Sequence, residues 1–527
     1  MGKISLLDCT LRDGGYINNW EFGEDAIKEI GRKIIQSGVE LFEIGFVKDE
    51  TYDKNRTIFS GVEDVAQVIE SKSENATYVA MLDMSAPFPL DRLHEYDGTS
   101  VDVFRVIFKK DRIQEAYEYA GEVQKKGYRI FVQPVGTDAY SDTEFVELIR
   151  MFNDLKPEAF YIVDTFGLIK KRQFMRLVYL ADHNLIPDIA LGYHSHNNLQ
   201  QASGNAEALA ECNLQRDIIL DACIFGMGRG AGNLNMELFA SYMNENFGKH
   251  YRIEPMLEVI DRYLNDIYSK HFWGYSLPFY LSATNACHPN YASCYAQKGT
   301  LTVKSFNELL KTISLQDKMV YSRERAEFYY KQYQEQFIDD TNDLHRIEHG
   351  IKGRNILVLA PGHSLETEKE TINRFIGENR PIVISVNFYS EQYGADYIFS
   401  SNMRRYCKLE DVAGVDKIIT SNMKEAKQYD YMLNFSSYCC QETEIMDNSG
   451  LMLLNVLMAI GIDRVCLAGF DGYDQYNQKN YVNSGLEYSW SVEAMNNRNR
   501  YIAKELERIN KVIHIDFLTK SNYQREE

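Results

Sequence analysis

A regular alternation of strand-like and helix-like segments runs from residue 4 to about residue 225. Short apolar runs predict strands, and the stretches between them, such as Glu24–Gln36 and 143–155, carry apolar residues at helical spacing. Alternation at this spacing implies parallel strands, and eight such units predict a closed (β/α)8, or TIM, barrel. The rival is an open, doubly wound sheet, whose first strand usually leads into a glycine-rich dinucleotide loop rather than DCTLRDGGY. The eight predicted strands are 4–8, 41–46, 77–82, 101–108, 128–135, 159–165, 188–194 and 217–226.

The remainder of the chain divides into a helical part and a second α/β part. Residues 251–345 are helical in pattern and rich in tyrosine, and we expect them to form an extension that covers the barrel mouth. The stretch 322–337 predicts a helix with a solvated face, and the polar segment 339–354 that follows predicts a linker. Short buried-type strands then begin again, so residues 355–527 predict a Rossmann-like α/β domain. The first domain is the barrel itself, residues 1–250.

The charge and the cysteines narrow the class of protein. The 527 residues carry 57 Lys and Arg against 76 Asp and Glu, a net charge of −19 that repels nucleic acid and anionic membrane surfaces. The 9 cysteines include no CxxC pair, which favours reduced thiols over a disulfide framework. The N-terminus shows no apolar signal core, and the longest apolar run, 451–462, is too short to span a bilayer. We therefore expect a soluble cytoplasmic protein that binds neither nucleic acid nor membrane.

Polar residues cluster at the predicted carboxyl ends of the barrel strands, which form the active face of such a barrel. His194 and His196 are two residues apart, so both imidazoles face the same side of an extended segment. With Asp13 they make a set of two histidines and one carboxylate, which suits a divalent ion. A His-x-His pair alone is weak evidence for a metal site, because histidines at strand ends are more often ordinary polar residues. With Asp13 on the same face, a metal site becomes the favoured interpretation. The full set of candidates is Arg12, Asp13, Glu43, Arg105, Asp164, His194, His196 and Asn233.

A family resemblance rests on three motifs, DCTLRDGG at 8–15, GYHSHNN at 192–198 and GMGRGAGNLNME at 226–237. They resemble the signatures of the DRE-TIM metallolyases over about residues 1–300, and most of all those of the 4-hydroxy-2-oxovalerate aldolase branch. The resemblance implies a homodimer and implies that Arg12 steadies the enolate oxygen of the substrate. The alternative for Arg12 is a salt bridge to Asp13 or Glu43 that ties the barrel rim. The implied metal ligands are Asp13, His194, His196 and Asn233.

The implied chemistry is formation or cleavage of a carbon–carbon bond next to a carbonyl, which passes through an enolate. A divalent metal bound by pyruvate acts as the Lewis acid, and the permanently charged Arg12 adds a positive donor. Imidazole and oxygen ligands favour Mn²⁺ or Mg²⁺ over Zn²⁺, since no thiolate is present. We expect an aldolase that joins or splits pyruvate and an aldehyde, with Glu43, Arg105 and Asp164 in substrate binding. Two alternatives stay open, an acyl-CoA-dependent Claisen synthase and a non-catalytic scaffold that kept its metal.

One position departs from the aldolase pattern. Aldolases of this branch carry a histidine three residues after the metal aspartate, used as acid or base, and here that position is Tyr16. A phenol with an ordinary pKa near 10 is a poor base at neutral pH but a usable proton donor. The family also places a tyrosine over the pocket from its C-terminal helices, which makes Tyr280 a catalytic candidate and Tyr275 a substrate-binding one. Plain packing is the alternative for both of these rings.

The second α/β part carries its own resemblance. VLAPGHSLE at 358–366 predicts a strand, a glycine turn and a helix whose amides can meet a phosphate. With ISVNFY at 384–389 and the segment 448–473, it resembles bacterial sialyltransferase-like proteins, which implies a nucleotide or nucleotide-sugar site. The usual Gly-Pro-Ser-Leu opening is Gly-His-Ser-Leu here, so the alternative is a binding-only or docking domain. The implied lining residues are Gly362, Ser364, Asn387, Ser449, Gly450 and Asp471.

Overall fold

The computed structural model describes residues 2–69, 72–474, 480–482 and 492–524. The chain divides into two compact units, Met1–Ala292 and Ser293–Glu527. The residues predicted as one helical extension, 251–345, are therefore divided between the two units. None of the described helices combines the length and the apolar character that crossing a lipid bilayer requires.

The first unit is built on a closed sheet of parallel strands. Its strands are β1 (Ile4–Asp8), β2 (Leu41–Val47), β3 (Ile58–Phe59), β4 (Thr77–Asp83), β5 (Val103–Phe108), β6 (Arg129–Pro134), β7 (Ala159–Asp164), β8 (Ala190–Ser195) and β9 (Ile218–Ala222). β1 pairs with β9 on one side and with β2 on the other, which closes the sheet into a barrel. The short β3 is added beside β2, so the barrel itself has eight strands. The predicted TIM barrel is confirmed, and the open doubly wound sheet is excluded for this unit.

Helices connect the barrel strands. α1 begins at Glu24 and Asp25, whose charges complement the helix dipole, and it buries Ile27, Ile30 and Ile34 on one face. α4 begins with a capping box formed by Ser141 and Glu144. The helices between the strands are α1 (Glu24–Gln36), α2 (Val62–Val68), α3 (Ile113–Lys125), α4 (Asp142–Asn153), α5 (Lys171–Asn184) and α6 (Ala202–Glu211). After the last strand come α7 (Met236–Phe247), α8 (Glu254–Val259), α9 (Asn265–Lys270), α10 (Leu277–Thr284) and α11 (Pro289–Lys298), whose residues from Ser293 on belong to the second unit. A π-helical turn lies at Ile260–Leu264, and 3-10 turns lie at Gly14–Tyr16, Lys110–Arg112, Thr137–Ala139 and Ile224–Gly226.

The second unit contains a second parallel sheet. Its strands are β10 (Ile356–Leu359), β11 (Ile382–Val386), β12 (Tyr397–Ser400), β13 (Asp416–Thr420), β14 (Tyr431–Leu433), β15 (Arg464–Ala468) and β16 (His514–Phe517). Their order is β14-β13-β12-β11-β10-β15-β16, so the direction of winding reverses between β10 and β15. Its helices are α12 (Val303–Thr312), α13 (Leu315–Lys318), α14 (Arg323–Gln334), α15 (Thr341–Ile351), α16 (Ser364–Thr367), α17 (Lys369–Asn379), α18 (Met403–Tyr406), α19 (Phe435–Tyr438), α20 (Ser449–Ala459) and α21 (Val492–Asn510), with a 3-10 turn at Thr443–Ile445.

One sequence interpretation of this unit is wrong. The segment 339–354 is not a linker, because most of it forms α15, whose Ile347 and Ile351 are buried in the core of the unit. The error arose because polar residues outnumber apolar ones in this segment, although a single apolar stripe is enough to bury one helix face. The segment 322–337 does form a helix with a solvated face, α14, whose other side buries Tyr330 and Tyr333.

Candidate metal centre

The two histidines and the aspartate of the sequence prediction come together at the carboxyl end of the barrel. Asp13 follows β1, His194 lies in β8 and His196 comes just after it. One ligand atom from each residue lies within 4.8 Å of the other two. Nε2 of His194 is 3.9 Å from Oδ1 of Asp13, and Nε2 of His196 is 3.8 Å from Oδ2. All three side chains are buried, so their ligand atoms face one another with little contact with solvent.

Asn233 contacts the same set. Its Nδ2 donates to Oδ2 of Asp13 at 2.7 Å and to the carbonyl oxygen of Met227 at 2.9 Å. Its Oδ1 is buried and accepts no hydrogen bond within the residues that the structure describes. A buried amide oxygen without a partner is costly, and a set of one carboxylate and two imidazoles selects a divalent cation as the missing partner. The residues present therefore fit a divalent metal.

Buried ion pairs orient His194. Its Nδ1 lies 2.9 Å from Oδ2 of Asp221, which leaves Nε2 directed at Asp13. Asp221 also pairs with Arg105, and Arg105 donates to Glu43 at 2.8 Å. The sequence predicts substrate contacts for Glu43 and Arg105, but the structure buries both completely and joins them to each other. Sequence analysis missed Asp221, although an acidic residue within the apolar run DIILDACIFG was the signal.

Arg12 is held by two carboxylates. Its Nε donates to Glu43 at 2.8 Å and its Nη1 to Asp13 at 2.5 Å, while Nη2 makes no hydrogen bond to any described residue. The rim salt bridges considered in the sequence are therefore present, and they fix the guanidinium in place. Burial alone would raise the pKa of Asp13, but the surrounding positive charge, Arg12 foremost, holds that pKa well below its usual range. Asp13 is thus ionised at neutral pH, as a metal ligand must be.

Tyr16 lies beside the metal set, at the end of the 3-10 turn Gly14–Tyr16. Its ring packs edge-to-face on Trp20, with centroids 4.6 Å apart, and the guanidinium carbon of Arg229 lies 3.9 Å from its centroid. Nη1 of Arg229 is also 3.2 Å from Nε2 of His288. Burial raises the pKa of Tyr16 above its ordinary value, so its hydroxyl is protonated at neutral pH. Sequence analysis did not single out Arg229, for which the signal was a cation placed between glycines in GMGRGAGN.

Asp164 has a structural place in this site. Its two carboxylate oxygens accept the amides of Leu168 and Ile169, at 2.8 and 3.0 Å. The side chain is 1% exposed, and burial raises its pKa to about 7. The substrate contact predicted from the sequence is therefore replaced by support of the loop that follows β7.

Comparison with known proteins agrees with the barrel. Residues 3–258 match the family model described as HMGL-like. This part of the chain is an HMGL-like domain of the DRE-TIM metallolyase type. Its relatives include a 4-hydroxy-2-oxovalerate aldolase from Desulfitobacterium hafniense, 25% identical over 251 residues, which are 46% of this chain and 72% of the relative. They also include an oxaloacetate decarboxylase from Mycobacterium tuberculosis, 25% identical over 235 residues, which are 44% of this chain and 67% of the relative.

One solved structure to which the chain is similar is a lyase. The HMG-CoA lyase of Bacillus subtilis is 17% identical, with a TM-score of 0.40, and the match covers 51% of this chain and 93% of the lyase.

Both tyrosines predicted over the pocket, Tyr275 and Tyr280, lie beyond the residues matched to the HMGL-like family. The structure exposes them to 59% and 41%, and neither side chain contacts the metal set among the described residues. It therefore does not bring these two rings to the site.

The second unit contains a cleft with about 960 Å³ of space between its atoms, open solvent included. The cleft lies beyond the carboxyl ends of β10, β11 and β15, where the direction of winding reverses, and ligands of open parallel sheets bind at such a point. Asn387 holds a left-handed backbone with φ of 60°, and its Nδ2 donates to Oγ of Ser449 at 2.8 Å. Five of the six residues predicted to line a ligand site do line the cleft, namely Gly362, Asn387, Ser449, Gly450 and Asp471.

The phosphate-binding turn predicted at Gly362–Ser364 is a different structure from the one expected. The amide of Ser364 donates to Oδ2 of Asp471 at 2.7 Å, and its hydroxyl donates to Oδ1 at 2.5 Å. The amide of Gly362 donates to the carbonyl oxygen of Gly469. The helix that follows, α16, has only four residues. The amides of Gly362 and Ser364 are therefore occupied by a carbonyl and a carboxylate, and neither is available to a phosphate.

Proposed function

We propose that this protein is a divalent-metal-dependent carbon–carbon lyase of the pyruvate-aldolase type, which joins or splits pyruvate and an aldehyde. The observation that carries the proposal is the buried set of Asp13, His194 and His196, with the guanidinium of Arg12 bonded to it. The HMGL-like domain and its aldolase relatives support the same class of reaction. Ligands of this kind favour Mn²⁺ or Mg²⁺.

Each residue at the site has a distinct role in the proposed reaction. A divalent cation held by Asp13, His194 and His196 supplies Lewis-acid polarisation of a 2-oxo acid when it is bound. Nη2 of Arg12 donates to the substrate oxygen on which negative charge develops as the carbon–carbon bond breaks. Glu43 meanwhile accepts a hydrogen bond from Nε of the same guanidinium. Because the guanidinium is already fixed by ion pairs, it donates with little reorganisation.

Tyr16 replaces the histidine of the aldolase pattern. Its protonated phenol donates a hydrogen bond or a proton to a substrate oxygen, and its raised pKa makes it a poor base. Arg229 packs on the face of the ring and fixes its orientation. Tyr16 therefore acts as a proton or hydrogen-bond donor, and a different group must serve as the base that removes a proton from a substrate hydroxyl.

The direct experiment is exchange of pyruvate methyl protons for deuterium, followed by mass spectrometry, with the full chain and added Mn²⁺ or Mg²⁺. We expect exchange with the wild type and none with His196→Ala, which loses a ligand while keeping its circular dichroism spectrum. His183→Ala, an exposed histidine on α5, is the matched control and should exchange normally. Absence of exchange with both metals overturns the proposal. Condensation that requires an acyl-CoA thioester would instead identify a Claisen synthase, and metal-dependent turnover of any kind excludes a non-catalytic scaffold.

For the second unit, we propose a Rossmann-like, sialyltransferase-like domain that binds a nucleotide or nucleotide-sugar in its cleft. The cleft at the reversal of the strand order supports this, as does the left-handed Asn387, since strained residues concentrate at ligand sites. Since the amides of Gly362 and Ser364 are occupied, other groups must bind the phosphate. Three basic residues line the cleft, namely Lys298, Arg405 and Arg498.

Calorimetry with CMP, UDP and GDP on the full chain tests the cleft. We expect binding by the wild type and a loss of about 10-fold or more in affinity for Arg405→Gln, because a charge-assisted contact to phosphate is removed. Arg374→Gln, an exposed arginine on α17, is the control and should bind as the wild type does. If none of the three nucleotides bound at millimolar concentration, nucleotide binding would be excluded and the alternative of a docking domain would be favoured.

A further inference from the structure

Three guanidinium groups lie around the candidate metal centre, those of Arg12, Arg105 and Arg229. Two of the arginines are neutralised, because Arg12 pairs with Asp13 and Glu43, and Arg105 pairs with Glu43 and Asp221. Arg229 differs, since no carboxylate of the described residues lies within 4.0 Å of it. Its contacts are the ring of Tyr16 and one nitrogen of His288. The third guanidinium is thus supported by the protein but not paired.

The loop that carries Arg229 is held tightly against the metal set. A Cβ atom on Gly228 would lie 2.2 Å from Nδ2 of Asn233 and 3.4 Å from Oδ2 of Asp13, so only glycine fits there. Gly230 has φ of +65°, and a Cβ there would lie 2.5 Å from Oδ1 of Asn198. Arg229 therefore lies next to a glycine that approaches Asp13 and Asn233 closely, and its guanidinium is held by the Tyr16 ring and His288 before any ligand binds.

A second cation lies on the same aromatic cluster. Nζ of Lys48 is 4.5 Å from the ring centroid of Phe46 and 5.4 Å from that of Trp20, and both rings pack on Tyr16. Lys48 forms no ion pair with a described carboxylate. Asp83 lies within electrostatic range of Tyr16, yet it pairs with neither cation. The side of the site formed by Tyr16 therefore carries two cations, Arg229 and Lys48, that form no ion pair with a described carboxylate.

We propose that Arg229 binds a second carboxylate of the substrate, so that the site takes a 2-oxo acid that is also a diacid. The inference rests on the proposed lyase function and names the class of its substrate. Arg12 is already held by two carboxylates and is assigned to the reacting oxygen, whereas the unpaired Arg229 is left for a second anionic group of the same substrate. A guanidinium fixed on a ring is suited to bidentate carboxylate recognition, and Tyr16 and His288 hold its plane.

Binding of matched pairs of acids to the full chain with Mg²⁺ tests the proposal. The pairs are 2-oxovalerate against 2-oxoglutarate and 2-oxobutyrate against oxaloacetate, which differ in the second carboxylate. In the wild type we expect the diacid of at least one pair to bind at least 10-fold more tightly by calorimetry. Arg229→Gln should weaken diacid binding by about 10–100-fold and leave the monoacid within about 2-fold. Arg229→Lys should retain part of the preference, because it keeps the charge and loses the fork.

Two controls keep the outcome specific. Arg176→Gln, an exposed arginine on α5, should change neither affinity. The dissociation constant for Mg²⁺ is measured in each variant and all acids are compared at saturating Mg²⁺, so that a change in metal affinity is not mistaken for a change in acid affinity. Equal binding within both pairs, equal weakening of monoacid and diacid in Arg229→Gln, or no binding of any acid would overturn the proposal. If pyruvate exchanges deuterium while diacids show no preference, only this inference fails. If diacid binding depends on Arg229 but no exchange occurs, only the lyase function fails.

Discussion

At the scale of single residues, burial decides the charge of the groups around the candidate metal centre. Desolvation lowers the pKa of His196 to about 3, and the nearby cations Arg229 and Arg12 act in the same direction. The opposing attraction of Asp13 is smaller than the cost of burying an imidazolium. His196 therefore presents a neutral imidazole, the form that binds metal, without competition from protons at physiological pH.

The first prediction is that His196 stays neutral from pH 8 down to pH 5 in the metal-free protein. Between about pH 6.5 and 3 the unfolded chain binds a proton that the folded site refuses, so the free energy of unfolding falls as pH falls. The slope from this residue is at most about 1.4 kcal/mol per pH unit. Histidine NMR titration and urea unfolding, compared with His196→Gln, measure both effects. A midpoint near pH 6.5 for His196 would contradict the burial argument.

The second prediction concerns Asp221, which orients His194. Asp221→Asn should lower the affinity for Mn²⁺ by about 10–100-fold, because the amide holds the imidazole less firmly and adds no charge to it. Calorimetry of Mn²⁺ binding is the measurement. Asp182→Asn is the matched control, since Asp182 also pairs with an arginine, Arg216, and is not part of the metal set. Equal affinities of the wild type and Asp221→Asn for Mn²⁺ would show that Asp221 does not contribute to metal binding.

At the scale of elements, α15 shows how few apolar residues a helix needs. Its eleven residues include Ile347 and Ile351, which are 1% and 0% exposed, while His345 and Arg346 are exposed. The two isoleucines are four residues apart, so they lie on one face and pack into the core of the second unit. The helix is a structural part of that unit.

The third prediction follows from that packing. Ile351→Ala should lower the free energy of unfolding of the transition that includes the second unit by about 2–5 kcal/mol, because it removes buried methyl groups and leaves a cavity. Urea unfolding of the full chain is the measurement, and His345→Ala, exposed on the same helix, should be within about 0.5 kcal/mol of the wild type. If Ile351→Ala left the free energy of unfolding unchanged, the segment would behave as the linker predicted from the sequence.

At the scale of the whole molecule, each of the two compact units carries a candidate site at the carboxyl ends of its parallel strands. The barrel places Asp13, His194 and His196 there, and the second sheet places its cleft there. This common position has one physical origin, because loops at that end of parallel strands converge and are free to vary without disturbing the sheet.

The fourth prediction is that metal protects one unit from hydrogen exchange. Mn²⁺ at about 100 times its dissociation constant should stabilise the barrel by about 2.7 kcal/mol, because it binds only the folded site. Exchange measured by mass spectrometry should slow in peptides that contain Asp13, residues 194–196 and residues 228–233, and not in residues 356–474. Equal slowing in both regions would show that the stabilisation is not local to the ligand set.

The barrel and most of its metal set could be predicted because both depend on local periodicity. Alternation of strand and helix implies the parallel closed sheet, and the two-residue spacing of His194 and His196 fixes their common side. Two short or mostly polar elements of the second unit could not be predicted from the sequence. β14 has only three residues, and the polar surface of α15 concealed its buried stripe, so neither was predicted.

The sequence by itself determined which residues stand at the strand ends, because strand period and chain order are local properties. Only the tertiary structure decided their partners. His194 meets Asp221, 27 residues away, and the amide of Ser364 meets Asp471, 107 residues away, which removed the expected phosphate turn. Arg229 packs on Tyr16 from the opposite end of the barrel sequence. Spacing along a chain carries no information on such approaches, because closing the barrel brings distant strand ends together and desolvation then selects the pairs that satisfy their charges.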